Sequence, residues 1–168
     1  MVRELTVTAT STLCDLSEAP ADVRELADYW HAKRGDRHFP ARRDIDPVDL
    51  RPYLGNLCIL TVVEAGSDFV FRLFGSKLAD DIHPDFTGKS VRELRPEALA
   101  AAVHEQLEET LSAAEPRYYR VDLTGSGFGF DYERLVLPLA EDRRTISDLL
   151  TYSRLNDVAR RLWPRPTN

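Results

Sequence analysis

The sequence predicts an α+β domain: a five-stranded antiparallel sheet with helices on one face, and a further helix toward each end of the chain. Three observations predict it. Leu57-Cys58-Ile59-Leu60-Thr61-Val62-Val63 is an unbroken apolar and β-branched run, and after the turn Ala65-Gly66-Ser67-Asp68 comes Phe69-Val70-Phe71-Arg72-Leu73-Phe74. Together they read as a hairpin whose first strand is covered on both faces. Leu99, Val103, Leu107 and Leu111 then recur at helical spacing and mark the longest helix. Three more strand-like runs, near residues 117–123, 130–139 and 144–153, follow across the turns Gly125-Ser126-Gly127 and Glu141-Asp142-Arg143. Strands joined by tight turns are antiparallel.

The remaining elements follow in chain order. Residues 1–19 are rich in Thr and Ser and read as a loose arm or one extended segment that packs on something else. Pro20 suits the first turn of a helix over residues 21–33, whose Val23, Leu26, Ala27 and Trp30 share one face and which ends near Gly35. Two prolines and alternating charges make residues 34–47 a connector, after which Asp46 caps a short helix with Pro47 at its first position and Leu50, Tyr53 and Leu54 inward. Past the hairpin, Leu78, Ala79 and Ile82 mark a short helix, and Ser90-Val91-Arg92-Glu93 has capping-box spacing. Pro96 opens the long helix and Glu115-Pro116 closes it. A final short helix carries Leu155, Val158 and Leu162 and stops at Pro164 and Pro166. The chain thus divides into an arm (1–19), a helix and connector (20–55), the main domain (56–153) and a C-terminal helix and tail (154–168).

Composition narrows the function classes. At 168 residues, 43% hydrophobic and 30% charged, the chain is ordinary globular material. Its net charge of −6 argues against nucleic acid as the main partner, because phosphate binding needs a positive surface, though it leaves room for a local basic patch. Cys14 and Cys58 form no CxxC pair or disulfide framework, which fits a reducing compartment. No apolar run reaches membrane-span length and the first residues hold no apolar signal core, so the expected location is the cytoplasm, away from membranes.

Motifs for chemistry are sparse. His104-Glu105 begins a HExx pattern, but position 108 is Glu where a zinc protease needs a second His. His31, His38 and His83 show no metal-ligand spacing. Gly125-Ser126-Gly127-Phe128-Gly129 lies between two strands, whereas a phosphate loop runs from strand to helix. Lys33, Arg34, Arg37, Arg42 and Arg43 form a basic cluster that could contact an acidic partner, a nucleotide second messenger or nucleic acid, but is read first as a solvated connector pairing with Asp36, Asp44 and Asp46. Arg72 shares a strand face with Val70 and Phe74 and either pairs with a carboxylate such as Asp122 or meets an anionic ligand.

The element order, with Phe71-Arg72-Leu73-Phe74-Gly75-Ser76 at the end of the second strand, Phe86-Thr87-Gly88-Lys89-Ser90 before the last short helix, and Leu135-Val136-Leu137-Pro138-Leu139 closing a later strand, resembles the PAS domain family over residues 56–153. Trp30 and the segment from Arg34-Gly35 to Asp46-Pro47 also resemble a bacterial subfamily of small stand-alone PAS-like proteins of unknown function with an N-terminal helix. The resemblance implies a sensory or interaction domain that binds a small molecule between sheet and long helix, or a signalling protein, and acts in trans; the missing catalytic motifs argue against an enzyme. The pocket it implies takes in Phe71, Phe74, Leu78, Leu107, Tyr119 and Tyr152. A homodimer is expected, with Leu26 and Trp30 on its surface because they need cover. No cofactor is favoured. In haem-binding members a histidine on the long helix ligates iron, which makes His104 the haem candidate here. Covalent flavin photochemistry is not expected, since neither cysteine lies on a short helix. The alternative class is a small pocket enzyme of the dehydratase or isomerase type, needing His104 with Asp122 or Asp131.

Overall fold

The computed structural model describes residues 6–81 and 84–163; Ile82, His83, Pro164, Pro166 and the first five residues lie outside it. Strands β1 (Thr8–Cys14), β2 (Leu57–Val63), β3 (Asp68–Phe74), β4 (Arg117–Gly125), β5 (Phe128–Leu139) and β6 (Asp148–Arg154) form one sheet in the order β1-β4-β5-β6-β2-β3. Every neighbouring pair is antiparallel. Helices α1 (Ala21–Arg34), α2 (Ser76–Asp81), α3 (Glu97–Ala113) and α4 (Asp157–Leu162) complete the described elements.

The sheet has six strands where the sequence predicts five. The extra one is β1, cut from the Thr- and Ser-rich arm: it pairs with β4 from Thr8↔Thr124 to Cys14↔Tyr118. Thr and Ser alternation carries little hydrophobic signal, but Val7 and Ala9 pack against the core under α3. The opposite edge is β3, where Phe71 exchanges backbone hydrogen bonds with the turn that follows α2, accepting from Gly88 N–H at 2.7 Å and donating to Lys89 O at 3.0 Å. That turn is shaped by Asp85, whose carboxylate accepts from the Thr87 N–H at 2.9 Å, and by Gly88 at φ +85°.

Strand periodicity sorts the two faces. Cys58, Leu60, Phe69, Phe71, Tyr119, Val121, Tyr132, Val136 and Leu149 meet Leu99, Val103 and Leu107 of α3. Leu57, Tyr118, Leu135, Leu137, Leu139, Leu150 and Tyr152 meet Val23, Leu26, Ala27 and Trp30 of α1. Helices α2, α3 and α4 thus share one face, as expected, while the N-terminal helix α1 covers the other, which explains why residues 135–139 are apolar at every position. Leu26 and Trp30 are buried by the chain's own sheet, and the Trp30 indole N–H donates to Pro138 O at 2.7 Å. The cover that argued for a dimer surface on these two residues is supplied inside the chain.

Other departures have local causes. Residues 47–53 form successive turns and not a helix; Asp46 accepts from the Val48 N–H at 2.9 Å, Leu50 is buried, and Leu54 faces solvent. Strand β6 starts at Asp148, later than expected, because the Asp142 carboxylate accepts from the N–H groups of Arg144 and Thr145 at 2.8 and 2.7 Å and curls them into a turn. On α4 it is Ala159, not Val158, that turns inward, and Trp163 follows it into the core. The basic cluster is partly paired as expected: Asp44 takes Arg37 at 3.5 Å, while Lys33 and Arg43 choose Asp49 and Glu141.

Trp30→Ala should cost about 3–5 kcal/mol in urea unfolding, and Trp30→Phe, which loses chiefly the indole hydrogen bond, about 1–2 kcal/mol. Small losses from both would contradict the placement of α1 as the second wall of the core.

Candidate functional site

A cavity of about 40 Å³ lies between the sheet and α3. Its floor is Cys58 and Leu60 of β2, Phe71 and Phe74 of β3, Tyr132 and Arg134 of β5, and Thr151 and Ser153 of β6. Leu99 and Val103 of α3 roof it, Leu78 and Leu94 close one side, and Leu155 and Trp163 close the other. The register explains the arrangement. Arg134 faces Ser153 and Cys58 faces Thr151 directly across their strand pairs, so four polar side chains form a strip on an apolar floor.

Arg134 is the unusual member of that strip. It is only 9% exposed. Its Nη1 donates to Gln106 Oε1 at 2.9 Å, its Nη2 to the Tyr132 hydroxyl at 2.9 Å, and its Nε to Ser153 Oγ at 3.3 Å. The guanidinium also lies 5.1 Å from the centroid of the Tyr132 ring. Gln106, fully buried on α3, is held from behind, its Nε2 donating to Ser11 Oγ of β1 at 2.7 Å. A continuous hydrogen-bond chain thus joins the cavity, the long helix and the edge strand.

Burial governs the titration of the lining. It raises the Tyr132 hydroxyl pKa, against the opposing pull of Arg134. It pushes the Cys58 thiol up to about 11, although a backbone contact with Gly75 and the Arg134 charge favour the thiolate. Cys58 is therefore an unreactive thiol at neutral pH.

The expected pocket residues separate into groups. Phe71, Phe74 and Leu78 line the cavity. Leu107 and Tyr119 belong to the same core but do not line it; the Tyr119 hydroxyl donates to Glu109 at 2.9 Å, and burial first, with that carboxylate, raises its pKa to about 12. Tyr152 lies on the other face, donating to Asp22 of α1 at 2.9 Å and meeting the Tyr53 ring edge-on. His104 lies outside the cavity, against Phe69, with Nδ1 at 3.4 Å from Glu108 and Nε2 beside Arg92 and Ser67 O. Both ring nitrogens are engaged, so it offers no iron ligand toward the space under α3. Asp122 and Asp131 pair with Arg120 on the α1 side of the sheet, which removes them from any dyad with His104. Arg72 is exposed at a register shift between β2 and β3, four strands away from Asp122, and makes no ion pair among the described residues.

Arg134, Ser153 and Trp163 were missed as site residues. Parity offered the signal for Arg134, since Phe130, Tyr132, Arg134 and Val136 alternate with residues of the other face. Among the described residues no group of three His, Cys, Asp or Glu side chains has the placement to hold a metal ion, and no helix is long and apolar enough to cross a membrane.

A long helix packed on one face of a sheet, with a cavity between them, does not by itself specify a chemistry. A family model described as a PAS domain matches residues 19–152, and the chain belongs to that family. The match begins ahead of α1, the helix that covers the second face. No curated protein and no solved structure matches the chain significantly.

Thiol labelling with a disulfide reagent at pH 8 should modify Cys14, which is partly exposed, well before Cys58, which should react only in denaturant. Equal rates in the folded protein would contradict the burial of Cys58.

Proposed function

We propose that the chain is a ligand-sensing PAS domain: a small molecule occupies the cavity under α3, and the occupied state is passed to a signalling partner. The observation that carries this reading is a largely apolar cavity with one compact polar corner, the usual make-up of a small-molecule site. The size of the cavity limits the occupant to a few heavy atoms unless side chains such as Phe74 or Leu78 give way. The hydrogen-bond chain from Arg134 through Gln106 to Ser11 supports the transmission step. A ligand that competes for Arg134 changes what Gln106 can bond to, and with it the attachment of β1 at the edge of the sheet. Such a two-way competition is the kind of differential contact that a population shift requires.

Native mass spectrometry on protein incubated with a small-molecule extract of its host tests the reading. Wild type should retain an added mass. Val103→Phe, which extends a roof residue into the cavity at a cost of about 1–3 kcal/mol, should fold and lose it. An added mass kept by the folded variant, or absent from wild type, contradicts a ligand under α3.

A further inference from the structure

We propose that the cavity's ligand carries a carboxylate on a small apolar body, and that Arg134 recognises the carboxylate. This rests on the reading of the cavity as a ligand site and adds the chemistry of what it takes.

The argument starts from an imbalance of donors and acceptors. A guanidinium stays charged in a protein and presents five N–H donors. Arg134 is 9% exposed, and its three hydrogen bonds all go to neutral oxygens, on Gln106, Tyr132 and Ser153. No Asp or Glu among the described residues pairs with it; their ion pairs lie elsewhere, among them in the connector, on α3 and on the α1 face of the sheet. Two of its N–H groups therefore have no acceptor among the described residues. Tyr132 and Ser153 sharpen the imbalance. Each hydroxyl oxygen accepts from Arg134, and neither hydroxyl hydrogen has an acceptor among the described residues. One corner of the cavity thus holds a buried positive charge and surplus donors, with no carboxylate among the described residues to match.

An acceptor-only group completes such a corner, and an ionised carboxylate is one, with two oxygens spaced to meet a guanidinium fork. A neutral amide or alcohol brings donors of its own and no charge. A phosphate dianion brings twice the charge of the single arginine and would lie against Leu78, Leu99 and Val103, which offer it nothing. The same apolar walls suit a short hydrocarbon body, or a single ring where Phe74 or Leu78 gives way. The chemistry is thus a small monocarboxylate, oriented head-first toward β5 and β6.

Matched pairs of probes test this on the full chain: butyrate against butyramide and benzoate against benzamide, by calorimetry and by the rise in Tm at pH 7. At least one acid should bind wild type about tenfold or more tighter than its amide, as expected when a charge-assisted pair replaces a neutral one. In Arg134→Met, which keeps an unbranched side chain of similar length, that preference should disappear. Acids and amides binding wild type equally would overturn carboxylate recognition while leaving a ligand cavity in place. A preference retained in Arg134→Met would overturn the role of Arg134. Failure of every acid and every amide to bind would sink both readings. The wild-type acid-to-amide comparison decides the question alone if the variant does not fold.

Discussion

Removing a guanidinium from water costs several kcal/mol, and a protein recovers that only through close, well-oriented partners. Arg134 is buried in the core with three neutral oxygens and one aromatic face around it, and no carboxylate among the described residues. Much of the molecule converges to hold it there. Strand β5 places it beside Tyr132, β6 brings Ser153 opposite, α3 lowers Gln106 onto it, and β1 anchors Gln106 through Ser11. Four elements separated widely in the chain meet at one charged side chain. A purely structural core position is more cheaply filled by an apolar residue of similar volume, which is why the position reads as functional.

The two faces of the sheet divide the work. Under α1 the packing is almost wholly apolar, pinned by the Trp30 indole bond and by the bond from Tyr152 to Asp22. Under α3 the packing is interrupted by the cavity and its polar strip. The first face carries close apolar packing, so the second can keep a gap. Helix α1 is accordingly part of the domain's architecture, in line with a family match that starts ahead of it.

Most of the element order was legible in the sequence: β2 and residues 135–139 as unbroken apolar or β-branched runs, and α1 and α3 by apolar residues spaced near four. The β1 strand was not, since its Thr and Ser residues alternate without apolar contrast and its partner β4 is more than a hundred residues away. Which face each helix covers was hidden for a similar reason. Parity groups Leu135 with Leu137 and Tyr132 with Arg134, but only tertiary packing decides that the first pair meets α1 and the second α3. The site was half legible. Phe71, Phe74 and Leu78 follow from the hairpin and the helix after it, whereas Tyr152 was assigned to the wrong face and Arg134 reads, in isolation, as a surface arginine among Glu133 and Asp131.

The central claim is that Arg134 is a buried cation awaiting an anion that none of the described residues provides. A crystal structure of the protein as purified, or soaked with butyrate or benzoate, tests it most directly. The account predicts an acceptor group that is not part of the chain within about 3.2 Å of the Arg134 guanidinium, on the cavity side of Tyr132 and Ser153. An Asp, Glu or terminal carboxylate of the chain bonded to Arg134, or the side chain turned out to solvent with the cavity filled by its neighbours, would contradict it.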